Sequence, residues 1–202
     1  MRNTVYFLVF EGFADWQAAL ALCEIRRPGD WQVRTVGFAA APVTSMGGLR
    51  VQPDMTLDQL DAAGAAMLIV PGGHLWQRGD GAPAVAAIRR LHAAGAVIAG
   101  IDSGVLVLAR AGLLDERRHT GNWPGQISAQ VPAYTGAPHY DSEVLAISDG
   151  GVISASHLGS VEFAREVIQT LDLYSPSDRE HWFGLFKHAQ LPPWCVGEAM
   201  AA

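Results

Sequence analysis

The sequence predicts an α/β fold: a three-layer sandwich with a mostly parallel, doubly wound sheet and helices on both faces. Three observations carry this expectation. Short apolar runs at Tyr6–Phe10, Ala66–Val70 and Ala96–Ile101 recur with turn residues at their ends. Segments with helical spacing of apolar residues lie between them. One strand runs without a linker into a helix at Gly100-Ile101-Asp102-Ser103-Gly104.

The elements follow in order. Tyr6–Phe10 reads as a buried strand, closed by the turn residues Glu11 and Gly12. A helix over Asp15–Arg27 places Trp16, Leu20, Cys23 and Ile25 on one side and stops at Pro28-Gly29. Trp31–Phe38 is a second strand. Val43–Met46 and Leu49–Val51 flank Gly47-Gly48, a two-residue hairpin signal. Leu57–Leu60 is a helical turn. Ala66–Val70 is a strand that enters Pro71-Gly72-Gly73. A helix over Pro83–Ala94, the strand Ala96–Ile101 and a helix over Gly104–Ala111 follow. Gly121–His139, with three prolines and three glycines, is irregular. Glu143–Ile147 and Val152–Ala155 flank Asp149-Gly150-Gly151 as late paired strands. Helices over Glu162–Leu173 and Asp178–His188 complete the chain, and Pro192-Pro193 ends the last of them.

The 202 residues, half of them apolar, suffice for one domain spanning 1–202 with its own core. Fourteen basic against twenty acidic side chains give a formal net charge of −6. That balance argues against nucleic-acid binding, which needs concentrated Lys and Arg. No apolar run reaches the roughly 18 residues of a membrane span, and the first residues do not read as a signal peptide. Cys23 and Cys195 have neither disulfide-framework nor zinc spacing. A cytoplasmic protein without a cofactor is the expectation.

The junction at Gly100–Gly104 carries the strongest chemical signal. A strand, a sharp turn and a helix with a polar apex make a nucleophile elbow. The flanking positions must be small because strand end and helix start crowd each other, and here they are glycines. The apex is Asp102. It reads as a covalent nucleophile, as a general base or water-orienting group, or as a plain helix N-cap. Ser103 follows it in the first helical turn. The consecutive glycines Gly72 and Gly73, at the end of another strand, point to backbone N–H groups that could hold an oxyanion.

These pieces resemble the ThiJ/PfpI superfamily, with a class I glutamine amidotransferase-like fold and a flavodoxin-like core. The resemblance rests on LVFEGFADWQ near the start, LIVPGG at Leu68–Gly73, AVIAGIDSGVLVLARAGLLDERRHTGNW at Ala96–Trp123, and ISDGGVISASHLGSVEFAREVIQTLDLY at Ile147–Tyr174. It implies frequent homodimers and a range of activities, deglycase-like and protease-like among them. It also implies a reactive cysteine at the elbow apex, where this chain has Asp102. The acidic residue that supports that cysteine falls on or next to Gln17, whose amide would donate to Asp102.

By the same resemblance, the local base is either His119 in RRHTGN or absent, and Asn122 either donates to Asp102 or caps the nearby turn. His157, in the loop before a helix, is expected to line the crevice, and His74 has a similar claim. Phe13, Trp16 and Trp76 are expected beside the pocket. No H-x-x-x-H or H-x-E-x-H spacing supports a metal site. Two readings follow. One is a non-cysteine member that binds a small polar ligand or partner at the elbow. The other is a hydrolase or lyase acting on a small carbonyl or amide compound. In it Asp102 serves as base or water-orienting group, Gly72 and Gly73 hold the oxyanion, and His119 or His157 shuttles protons.

Overall fold

The structure, a computed structural model, describes residues 2–193 and residue 195. The ends of the expected 1–202 unit, Met1 and residues 196–202, lie outside the described residues.

The elements alternate as an α/β protein requires. They are β1 (Thr4–Leu8), α1 (Asp15–Arg26), β2 (Gln32–Gly37), β3 (Val43–Thr44), β4 (Arg50–Val51), β5 (Met55–Thr56), β6 (Ala65–Val70), α2 (His74–Gln77), α3 (Ala82–Ala93) and β7 (Val97–Ile101). After these come α4 (Gly104–Arg110), α5 (Gln126–Gln130), β8 (Ala146–Asp149), β9 (Val152–Ala155), α6 (Ser160–Thr170) and α7 (Pro176–His188).

The main sheet has the order β5-β2-β1-β6-β7-β9-β8. Every neighbouring pair is parallel except β8–β9. α1 packs on α6, which carries α7, and α3 packs on β6, β7 and α4. Parallel strands covered on both faces read as continuous apolar runs rather than alternating ones. Accordingly Met67, Leu68, Ile69 and Val70 of β6 are all fully buried.

The winding sets the place of the site. From β1 the chain moves one way to β2 and then returns to the other side at β6. Such a reversal opens a crevice at the carboxyl ends of the strands. β1, β6 and β7 all end there, delivering the α1 entry, the Pro71-Gly72-Gly73 turn and Asp102 to one edge.

Several elements depart from expectation. Gly47-Gly48 does not make a two-residue hairpin. β3 and β4 are two-residue strands joined by a longer turn, in which Gly48 N–H donates to the Ser45 carbonyl at 3.1 Å. The late hairpin is tight instead: Asp149 pairs with Val152, and Gly150 and Gly151 both have positive φ, as a primed turn demands. The irregular segment contains the short α5. On α1 the expected apolar face holds only in part: Ile25 is buried and Leu20 half-buried. Trp16 and Cys23 are exposed, and the buried side is Gln17, Ala18, Ala21, Glu24 and Ile25. Small residues let α1 sit close, while Glu24 takes Tyr174 Oη–H at 2.7 Å and Arg27 Nη2 at 2.9 Å.

Candidate functional site

The elbow forms because its neighbours have no side chains to obstruct it. A Cβ on Gly104 would collide with the Val70 carbonyl, and one on Gly100 would press on Leu108. Asp102 sits at the apex with φ 58°, in the left-handed region that Asp tolerates better than most residues. Its own N–H donates to the Ala155 carbonyl at 2.9 Å, which ties the apex to β9. Its side chain is half-buried at the strand ends. The N-cap reading does not hold: Ser103 occupies the cap position of α4, and no side chain caps that helix.

Two amides hold the Asp102 carboxylate. Gln17 Nε2 donates to Oδ2 at 2.8 Å, and Asn122 Nδ2 donates to Oδ1 at 2.6 Å. Behind each amide stands another donor. Gly72 N–H donates to Gln17 Oε1 at 2.7 Å. His157 donates its backbone N–H to Asn122 Oδ1 at 2.9 Å, and its Nδ1 lies 3.0 Å from the same oxygen. A carboxylate only accepts and a backbone N–H only donates, so the orientation of both amides is fixed. Nδ1 of His157 therefore carries a proton. Among the described residues no Lys, Arg or His forms an ion pair with Asp102.

The double glycine serves packing and not oxyanion binding. A Cβ on Gly72 would collide with the Asp102 carboxylate, and one on Gly73 with the Phe10 ring. Gly72 N–H is taken by Gln17. Gly73 N–H donates to Ser103 Oγ at 2.9 Å, and Ser103 Oγ–H returns to the Gly73 carbonyl at 3.2 Å. Trp76 Nε1–H donates to the Pro71 carbonyl at 2.8 Å. The expectation that Gly72 and Gly73 offer free N–H groups is thus corrected, because both are satisfied inside the protein. Ser103, expected to contact a ligand, is buried and works as a staple between α4 and the glycine turn.

His119 is not poised as a base toward Asp102. It is fully buried between Tyr134 and Tyr140, with no hydrogen bond to the elbow. Its Nδ1 lies 2.7 Å from the Arg117 carbonyl and its Nε2 2.5 Å from Tyr134 Oη. The carbonyl only accepts, so Nδ1 bears the proton and Tyr134 donates to Nε2. Burial lowers the His119 pKa, and burial pushes Tyr134 up to about 12. Both groups are neutral near pH 7, and the pair is a structural clasp. Sequence reasoning missed Tyr134 as the partner, since nothing local to His119 points fifteen residues ahead.

The remaining candidates divide. Asn122 and His157 reach the elbow, whereas His74 is exposed beside Gln77 and His139 is exposed on its loop. Phe13 and Trp76 are core residues and not pocket walls. Trp16 and Trp123 are 51% and 54% exposed and adjoin Gln17 and Asn122 in the chain; Leu158, 68% exposed, adjoins His157. Among the described residues no group of three or more His, Cys, Asp or Glu is arranged to hold a metal.

Comparison with known proteins places the chain. Residues 3–170 match the DJ-1/PfpI family. The chain is 30% identical over 190 residues to YoaZ, named an uncharacterized protease, of Bacillus subtilis, covering 91% of this chain and 90% of that one. It is 27% identical over 176 residues to a protein named a deglycase of Thermococcus kodakarensis, covering 83% and 98%. Two solved structures share its fold. A DJ-1 superfamily protein of Agrobacterium tumefaciens has a TM-score of 0.84 at 33% identity, over 92% of this chain and 99% of that one. A thiJ/pfpI family protein of Bacillus anthracis has 0.87 at 29% identity, over 94% and 93%. With its parallel sheet, glycine-flanked elbow and this match over most of its length, the chain belongs to the DJ-1/PfpI family.

Proposed function

We propose that this protein is a non-cysteine member of the family that recognises a small polar ligand at the Asp102 elbow. The observation that carries this reading is the state of the carboxylate: each oxygen is held by a side-chain amide, Gln17 on one side and Asn122 on the other. In this reading Asp102 stands where the family places a reactive cysteine. A carboxylate is a far weaker nucleophile than a thiolate at neutral pH. Cys23 is exposed on the outside of α1, and Cys195 lies in the tail.

The groups that the oxyanion and proton-shuttle reading relies on are committed elsewhere. An oxyanion needs donors aimed at it in advance, worth about 3–4 kcal/mol for each one in acyl-transfer enzymes. Gly72 and Gly73 have given theirs to Gln17 and Ser103. His119 is sealed behind Tyr134. What remains at the crevice is a fixed, half-exposed acceptor on a rigid sheet edge, which suits binding. Like others of its family, the protein is proposed to act as a homodimer, and to do so in the cytoplasm.

The test sets turnover against binding. Peptide and glycated-amine substrates are incubated with the wild type and with Asp102→Asn, with the fold checked by circular dichroism. The expected result is turnover at the blank rate for both proteins. Turnover by the wild type that is lost in a folded Asp102→Asn variant would overturn the reading in favour of a hydrolase or lyase that uses Asp102 as a base.

A further inference from the structure

The polarity of the elbow network says what kind of ligand it accepts. Several donors around the elbow are already committed within the protein. Gly72 N–H and Gly73 N–H end on Gln17 and Ser103, Asp102 N–H ends on Ala155, and both His157 donors end on Asn122. The Asp102 carboxylate keeps acceptor capacity for a ligand. Each Asp102 oxygen takes one side-chain amide and keeps a further lone pair.

Charge points the same way. Asp102 brings a negative charge that two neutral amides solvate but do not cancel. Among the described residues no cationic side chain pairs with it. Carboxylates and phosphates would meet repulsion from Asp102. Three of the large exposed apolar side chains, Trp16, Trp123 and Leu158, stand next in the chain to Gln17, Asn122 and His157. Tryptophan faces attract cations as well as apolar bodies.

We propose that the Asp102 elbow binds a small organic cation, a primary ammonium, amidinium or guanidinium carried on an apolar or aromatic body. The cation donates to Asp102. This inference rests on the ligand-binding reading above and names its ligand class. Hydrogen bonds to a charged partner are stronger than neutral ones, so a cation should bind about tenfold or more tightly than its neutral isostere.

The experiment is a backbone-amide NMR titration with three matched probes, benzylammonium, benzyl alcohol and benzoate. It is run on the wild type, Asp102→Asn and Asn122→Ala. Asn adopts positive φ as readily as Asp, so Asp102→Asn should fold. Benzylammonium is expected to shift the amides of Gly73, Asp102 and His157 at least about tenfold more tightly than benzyl alcohol. Asp102→Asn is expected to abolish that preference. Asn122→Ala, which keeps the carboxylate and strips one of its donors, is expected to bind benzylammonium at least as well as the wild type. Equal or tighter binding of benzyl alcohol or benzoate at these amides overturns the cation inference and leaves the ligand-binding reading standing. Retention of the preference in Asp102→Asn, or its loss in Asn122→Ala, also overturns the inference. Binding by none of the three probes overturns both readings.

Discussion

Replacing Gln17 with glutamate exchanges one donor for an acceptor at the centre of the site, and the structure sets the size of the consequence. The Gly72 bond to Oε1 survives, but an oxygen now stands where Nε2 was, 2.8 Å from Asp102 Oδ2. Two unit charges at that separation repel by about 6 kcal/mol at an effective dielectric of about 20. Holding one carboxyl protonated at pH 7 costs about 4 kcal/mol, so the pair takes up a shared proton instead. Gln17→Glu is therefore expected to destabilise the fold by up to about 4 kcal/mol at pH 7. The sign follows from proton linkage. A pair that holds its proton more tightly folded than unfolded is fully stable below about pH 4 and loses stability as pH rises. The gap between variant and wild type should thus shrink by about 1.4 kcal/mol for each pH unit between 7 and 4. Urea unfolding followed by tryptophan fluorescence at several pH values reads it. Gln17→Glu combined with Asp102→Asn restores donor facing acceptor and should remove the slope. A constant difference between Gln17→Glu and wild type from pH 4 to 7 would refute the proposed contact.

Other outcomes follow from the same structure. Gly72→Ala drives a methyl into the Asp102 carboxylate and should be destabilised by about 1–3 kcal/mol in thermal unfolding, with its loss smaller when combined with Asp102→Ala. Tyr174→Phe leaves the buried Glu24 carboxylate without its phenol partner and should lose about 1–3 kcal/mol in urea unfolding. Burial lowers the pKa of His119 below 6.5 in the fold, so its contribution to stability is present above that pH and is lost as pH falls through the lowered value. His119→Phe should therefore flatten the stability profile below pH 6.5, although it loses the Tyr134 bond; an unchanged slope counts against the buried neutral clasp. Burial raises the Glu166 pKa, so Glu166→Gln should be neutral or stabilising at pH 7, an advantage lost as pH falls through the raised value and gone by about pH 4.5.

The parts of the fold readable from sequence are those where local chemistry and tertiary demand agree. The β6 run is apolar because both of its faces are covered, and Gly72 just after it marks the close approach of Asp102. Gly100 and Gly104 flag the elbow for the same steric reason. The contact between Gln17 and Asp102 was legible only through the family resemblance, which set Gln17 opposite the elbow, where an amide suits a carboxylate. Elsewhere the local signal misleads. Trp16 and Cys23 count as core by hydropathy, yet α1 turns its small residues and Glu24 inward. Glu24 is tolerated there by Tyr174, 150 residues away, a partner no window can see. His119 reads as a reactive loop histidine because sequence does not record burial. Gly72 and Gly73 read as oxyanion donors because their occupancy depends on Gln17 and Ser103 arriving from α1 and the elbow.

The most direct test of the central claim is a pair of crystal structures, one soaked in benzylammonium and one in benzoate. The account predicts ammonium density within about 3 Å of an Asp102 oxygen, with Gln17 and Asn122 unmoved and no benzoate at the elbow. Benzoate seated on the N–H groups of Gly72 and Gly73, with Gln17 and Ser103 turned away to release them, would contradict it.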